Sequence, residues 1–338
     1  MAAGPYILPI LFISPSTAVS ADGFKMFTYA LKRFLSFIPT LALVAFMVFF
    51  LVHLIPGDPA AVMLGQDATQ EELTAFRQAL GLDRPLPVQF AIWMGNILRG
   101  DLGISLQTKR PITQSIQERF GVTLFLATLA MVFSLLLALP SGILAAIHHN
   151  TRNDYLFMLI SILAVSLPGF WLGLMSLLIF SVFLGWIPST GFVAPWEDFG
   201  GGMRYMIFPS ITLGCYMAAV VARMMRSSML EVLNLEYITH ARAKGLAEWK
   251  VITKHALKNS FAPTLTTIGL QFGVLLGGSV VTETVFSLPG LGKFVVDAIY
   301  SRDYPAIQGC ILFIALIYSI INLGVDLFYR YFDPRIEY

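Results

Sequence analysis

Few residues in this chain could do chemistry, and their spacing argues against most of it. "SLPGLGKF", from Ser287 to Phe294, superficially matches a phosphate-binding loop, which needs GxxxxGK followed by Ser or Thr. Counting back from Gly292-Lys293 puts Ser287 where the first glycine belongs, and Phe294 stands where the hydroxyl belongs. The segment reads as a structural turn. His148 and His149 are adjacent rather than four apart, His53 stands alone, and Cys215 and Cys310 lie in apolar runs without CxxC spacing. Neither a metal site nor a disulfide framework is indicated. With no GxSxG or HExxH sequence, a membrane hydrolase is a distant reading. An ion-coupled secondary transporter would keep an acid inside the membrane. The acids here, Glu283 and Asp326, fall at the outer end of one apolar run and the inner end of another, both within reach of water. Glu283 reads as an interfacial acid, with lining the path of a cationic solute group as its alternative.

The segment best suited to an interaction is "EYITHARAKGLAEWKVITKHALKNSFAP", Glu236–Pro263. Tyr237, Ala241 and Gly245 fall at i, i+4 and i+8, so they share a helix face, and small residues there would let another surface approach closely. Gly245 then stops the helix, as a residue free to take positive φ would. A second short helix is expected beyond it, with Trp249, Ile252 and Ala256 as an apolar stripe and Lys250, Lys254 and Lys258 as a basic one. A lipid-held interfacial helix pair would explain the lysines. It would not explain the small face, which suits a rigid protein partner.

What must position this loop is a membrane domain. The chain has 338 residues, 57% hydrophobic and only 12% charged, against about 25% charged in soluble domains. The net charge of +2 gives no reason to expect nucleic acid. Six apolar stretches approach the roughly twenty residues that span a bilayer: Phe34–Ile55, Gly121–Ile147, Tyr155–Leu184, Tyr205–Ala222, Asn259–Thr282 and Tyr304–Val325. Pro168-Gly169 should kink the third, and the fourth is the least secure because Pro209 and Gly214 interrupt it. An all-α polytopic membrane protein with six transmembrane helices is expected, with both termini on one side. That side carries Lys32, Arg33, Arg152, Arg330, Arg335 and the basic loop 223–262, whereas the short loops opposite carry Arg204, Lys293 and Arg302. The positive-inside rule makes it the cytoplasm. The outer-face loop 56–120 should hold two amphipathic helices, one with Leu73, Phe76 and Leu80 and one with Phe90, Trp93, Met94 and Ile97 on its apolar face. They would lie on the membrane surface or form a docking platform. In the fifth span, Gly269, Gly273 and Gly277 share a face suited to close helix packing, against a neighbouring span or a partner permease. Residues 1–25 are expected to be a disordered extension of a single domain, 26–338.

"HARAKGL", followed ten residues after Gly245 by "HALKNSFAP", resembles the cytoplasmic loop of ABC importer permeases, specifically those for dipeptides, oligopeptides, nickel and glutathione. Further segments agree in order: "VHLIPGDPA", "LGLDRPLPVQF", "GDLGIS", "ARMMRSSMLEVL", "GLQFGVLLGGSVVTETVFSLPGLG", "RDYPAIQG" and "DPRI". Aligned on Gly245, the family's Glu-Ala-Ala positions fall on Thr239, His240 and Ala241, of which only the second alanine is kept. The resemblance implies the type I importer permease architecture in the cell inner membrane, and an ATPase-docking element comprising Tyr237, Thr239, His240, Ala241, Arg242, Lys244 and Gly245. It also implies four partners: a second related permease, two ATPase subunits and an extracytoplasmic solute-binding protein. No cofactor is then expected on this chain, since ATP would be bound by partner subunits, and the chain would not itself be an enzyme. The implied mechanism is alternating access, with the docked loops moving as levers.

Overall fold

The computed structural model describes residues 35–332 apart from 52, 55–63, 65–67 and 80. The expected extension over residues 1–25, the turn in "LIPGDPA" and the terminal "DPRI" lie outside these residues. The described chain is helical, and its only β feature is an isolated bridge between Ile104 and Pro111.

Helix α1 covers Leu35–Leu51, α2 Gln70–Ala79 and α3 Leu86–Leu98. The long α4, Ile112–Ile147, is followed by α5, Arg152–Ser166, and α6, Gly169–Ser176, which continues as a π-helical segment over Leu177–Phe183. Next come α7, Phe199–Leu233, the short α8, Glu236–Ala243, and α9, Leu257–Val285. Helices α10, Leu291–Tyr300, and α11, Tyr304–Phe332, complete the fold. Four helical stretches are long and apolar enough to cross a membrane, and a fifth if α5 and α6 count as one broken span. The described part of α1 falls short of spanning length. The chain is thus a multi-helix membrane protein, with four or five of the six expected spans present by length and composition.

Two expectations about these spans need correction. Pro168 does more than kink the third: α5 and α6 meet at 94°, because a proline both lacks an N–H and disfavours helical conformation in the residue before it. The fourth, expected to be the weakest, is the 35-residue α7. Pro209 sits inside that helix without breaking it. The Ser210 hydroxyl, buried like the proline, donates to the Met206 carbonyl one turn back.

Gly214 and its counterpart Gly142 explain why α4 and α7 form the centre of the fold. A Cβ at Gly214 would lie 2.7 Å from the Ala130 carbonyl oxygen, and one at Gly142 would lie 2.6 Å from that of Ala222. The two backbones therefore touch at two levels. Lipid is as apolar as leucine, so helices in a bilayer gain by such close packing rather than by hiding from solvent. Around the contact, Ala127, Ala130, Met131 and Ala138 of α4 interlock with Met217, Ala218, Val221 and Ala222 of α7 and with Ile268, Leu275 and Leu276 of α9.

The glycine face of α9 meets α11. A Cβ at Gly269 would run into the Val325 side chain, and one at Gly273 would sit 2.7 Å from the Tyr318 ring. Gly277 faces open space, so only two of the three expected glycines serve this contact. On the other flank, Phe90 and Trp93 of α3 pack on Phe49 of α1 with ring centroids 5.3 and 5.4 Å apart. That aromatic face is therefore spent on another helix of the same chain. Helix α2 opens with reciprocal capping, in which the Thr69 N–H donates to the Glu72 carboxylate at 2.9 Å and the Glu72 N–H to the Thr69 hydroxyl at 3.3 Å. The Thr69 N–H and the Thr69 hydroxyl, which donates to the same carboxylate oxygen at 2.9 Å, hold the Glu72 carboxyl below the usual glutamate range.

Overpacking a tight helix contact costs about 1–3 kcal/mol. Gly273→Leu is accordingly expected to lower the melting temperature of the detergent-solubilised protein by several degrees, with Tyr318→Ala in the same chain recovering part of the loss. Gly277→Leu should be mild by the same thermal-shift measurement.

Candidate docking site

Helix α8 begins directly after α7, leaving only Asn234 and Leu235 between them, and the pair is tied by buried apolar contacts. Ile238 and Ala241, three apart on one face, sink into a cluster with Ala146, Met225, Met229, Val232, Val251 and Ala256. This corrects the expected use of Ala241. Its small side chain is buried and packs inside the protein, whereas the surface offered outward is made by its neighbours. The reason is elementary: an eight-residue helix must bury one face to stay attached.

Gly245 closes the helix in the expected way. Its φ is +76°. The Gly245 N–H donates to the Arg242 carbonyl at 2.9 Å and the Leu246 N–H to the Ala241 carbonyl at 3.4 Å, the pair of bonds that ends a helix on a left-handed residue. No atom would meet a Cβ there, so the glycine serves the turn's conformation rather than a close approach within the chain. Across the turn, the Arg242 guanidinium donates Nη2 to Glu248 Oε1 at 2.6 Å and Nε to the same carboxylate at 3.2 Å. That bond raises the Arg242 pKa above its ordinary value. Every residue from Arg242 to Lys250 is exposed, as are Thr239 and His240. Tyr237 lies at the edge of this surface, its hydroxyl accepting from Asn259 Nδ2 at 2.7 Å.

The separate helix expected after Gly245 does not exist. Glu248–Lys250 forms one α-turn, Val251–Ala256 forms a π-helical segment, and α9 follows without a break. The whole is one rod from Glu248 to Val285, about 55 Å long at 1.5 Å per residue. Its apolar root is Val251 with Ala256, whereas Trp249, placed in that stripe by periodicity, is 64% exposed. The π-segment adds a residue to each turn and shifts the helical register, which a 3.6-residue period could not anticipate. Leu235 and Leu246 are exposed beside Trp249 on the same surface. Neither leucine carries a signal in the sequence, because single leucines beside a short helix are as often buried as exposed.

An ion pair that no sequence spacing signals lies between α5 and α7. Asp154 of α5 is nearly fully buried, and Arg226 of α7 grips it with two bonds, Nε to Oδ1 at 2.6 Å and Nη2 to Oδ2 at 2.7 Å. The Asn150 N–H donates to Oδ2 at 3.0 Å, and His149 Nδ1 lies 3.2 Å from the same oxygen. The adjacent histidines, with no metal spacing, thus include one that completes an acid–arginine cluster.

At the opposite end of the rod, Glu283 is not the water-accessible acid expected. It is fully buried. Its Oε1 accepts from Thr123 Oγ1 of α4 at 2.7 Å and from Ser279 Oγ at 2.9 Å, and its Oε2 accepts from the Lys293 N–H at 2.9 Å. The Thr123 hydroxyl in turn accepts from the Leu291 N–H at 2.8 Å. The segment that mimicked a phosphate loop is the turn this carboxylate holds. Asp303, buried just before α11, plays a similar part for the outer loop, accepting from Ser105 and from the Leu106 N–H.

Removing one member of a buried ion pair costs about 3–5 kcal/mol, because the other charge is left uncompensated. Asp154→Leu or Arg226→Met alone is expected to cost about 3 kcal/mol in equilibrium unfolding, and the double variant less than the sum. Additive losses would mean that the pair is not coupled.

Comparisons with known proteins bear on the whole chain. Residues 138–338 match the family described as the binding-protein-dependent transport system inner membrane component, and residues 26–127 match its N-terminal counterpart. The glutathione transport system permease protein GsiC of Salmonella paratyphi A is 44% identical over 313 residues, covering 93% of this chain and all of the relative. The dipeptide transport system permease protein DppB of Alkalihalophilus pseudofirmus is 42% identical over 337 residues, with the same coverage. A crystal structure of an amino acid ABC transporter with histidines aligns with TM-score 0.47 and 17% identity, over 66% of this chain and 95% of that one. The chain belongs to the binding-protein-dependent inner-membrane transport family, the permease subunits of ABC importers, which work with separate ATPase and binding-protein partners.

Proposed function

We propose that this permease forms half of the translocation pathway for a peptide or peptide-like solute, and that α8 with the turn at Gly245 is the element its ATPases grip. The names of the glutathione and dipeptide relatives support the solute class. The observation that carries the docking reading is the exposed surface Arg242–Lys250, built on a buried root of Ile238, Ala241, Val251 and Ala256. A surface that is exposed yet rigidly rooted can transmit force, whereas a floppy one would absorb it.

Leu235, Tyr237, Leu246 and Trp249 give the knob an apolar face, and Thr239, His240, Arg242 and Lys244 surround it with polar groups. This mixture suits a protein groove. The excess of Lys and Arg on the loops at this end supports a cytoplasmic placement, with both termini on the same side. One ATPase would bind this chain and another a second, related permease, with ATP held entirely by those subunits and the solute delivered by the binding protein from the opposite side. The ion-coupled alternative loses its best candidate, because Glu283 is sealed from water and satisfied by neutral donors.

Surface substitutions test this reading better than Ala241→Glu, which would place a charge in the buried root. Leu246→Glu combined with Trp249→Glu, or Gly245→Pro alone, is expected to leave the chain inserted while cutting ATPase co-purification and solute uptake about ten-fold or more. Wild-type recovery of the ATPases together with unchanged uptake would overturn the docking assignment. Uptake by the reconstituted chain alone, driven by a proton gradient, would favour the carrier class.

A further inference from the structure

The rod that begins at the proposed docking knob ends at Glu283, and the surroundings of that residue go beyond what a helix end requires. A fully buried carboxylate usually faces a cation. Here Lys293 Nζ is engaged 2.7 Å from Asp297 Oδ2, and the donors to Glu283 are two hydroxyls and one backbone N–H. They come from three places: Thr123 on α4, Ser279 on α9 itself, and Lys293 at the start of α10. A fourth side of the cage is Gly290, where any Cβ would run into the Glu283 carboxyl group. The φ of Gly290 is −93°, so its side-chain-free backbone is needed for space and not for conformation. The turn also bonds back along the main chain, the Leu288 N–H donating to the Glu283 carbonyl at 2.8 Å.

From this geometry we infer that Glu283 is a positioning residue for transport: its carboxylate clamps α4, the end of α9 and the α9–α10 turn into one rigid body. Motion imposed on the rod at the Gly245 end then carries α10 with it instead of dissipating in the turn. Both carboxylate oxygens are needed. Oε1 gathers two hydroxyls, while Oε2 takes the Lys293 N–H; an amide nitrogen at the Oε2 position would face a donor, and one at the Oε1 position would displace both hydroxyl donations. The inference rests on the reading that ATPases drive this chain through α8, but it concerns the far end of the lever and is separable from it.

The test uses the assembled importer with its ATPases, second permease and binding protein in proteoliposomes, carrying Glu283→Gln, Gly290→Ala, Thr123→Val or Thr123→Ser. The first three are expected to retain the ATPases and hydrolyse ATP within about two-fold of wild type, yet lose about ten-fold or more in solute moved per ATP. Thr123→Ser, which keeps the hydroxyl, should transport normally. Nitroxide labels on cysteines introduced at Glu118 and Tyr300 should give one narrow distance distribution in the parent and a broad one in Glu283→Gln. Parental coupling and a narrow distribution in Glu283→Gln would overturn the clamp. Loss of the bound ATPases in these variants would overturn it too, since that would mark a general folding defect. Failure of the docking reading would appear elsewhere, as ATPases retained by the Leu246 and Trp249 variants.

Discussion

Everything in this molecule hangs on two places where helix backbones touch, Gly142 of α4 against Ala222 and Gly214 of α7 against Ala130. In a bilayer the gain from association comes from packing, and a leucine at either glycine would hold the helices apart. The cluster that α9 joins, through Ile268, Leu275 and Leu276, exists because that first pair is close. The prolines Pro140, Pro209 and Pro263 sit inside these helices without ending them. Neighbouring helices and hydroxyl groups satisfy the backbone that a proline leaves free.

On this centre stands a single helical element from Glu248 to Val285 that joins the α8 knob to the Glu283 turn. The rod from Glu248 to Val285 is rooted beside α8 by Val251 and Ala256, packed midway against α7 and α11, and ended by Glu283. The π-segment at Val251–Ala256 re-aims its first turn, so that Trp249 faces out while the root faces in. Stiffness along such a rod is what the proposed docking at α8 calls for, since a helix that bends would store a displacement instead of passing it on.

Three buried acids share one logic. Asp154, Glu283 and Asp303 lie near helix ends, and each holds a segment that is remote in sequence: α5 to α7, α9 to α4 (Glu283 also fixing the adjoining α10), and the Ser105 loop to α11. Buried polar groups persist only when satisfied. Each therefore specifies one arrangement, and an alternative packing would strand a buried polar group. Charged groups inside membrane proteins often mark ion paths; here the donors around each acid are its own structural neighbours.

The amino-acid sequence alone determined the class. The excess of apolar residues, the glycine stop at Gly245 and the ordered segments around "HARAKGL" and "ETVFSLPGLG" are local features, and local features are readable because helix periodicity and turn chemistry act over a few residues. Tertiary structure decided which face each residue uses. Ala241 turned inward because an eight-residue helix needs a root, and Trp249 turned outward because a π-segment shifted the register. Glu283 was sealed because Thr123, 160 positions away in the chain, folds onto it. No spacing rule reaches that far: a hydroxyl on one helix and a carboxylate on another become partners only once close packing of the helices has set the distance between them.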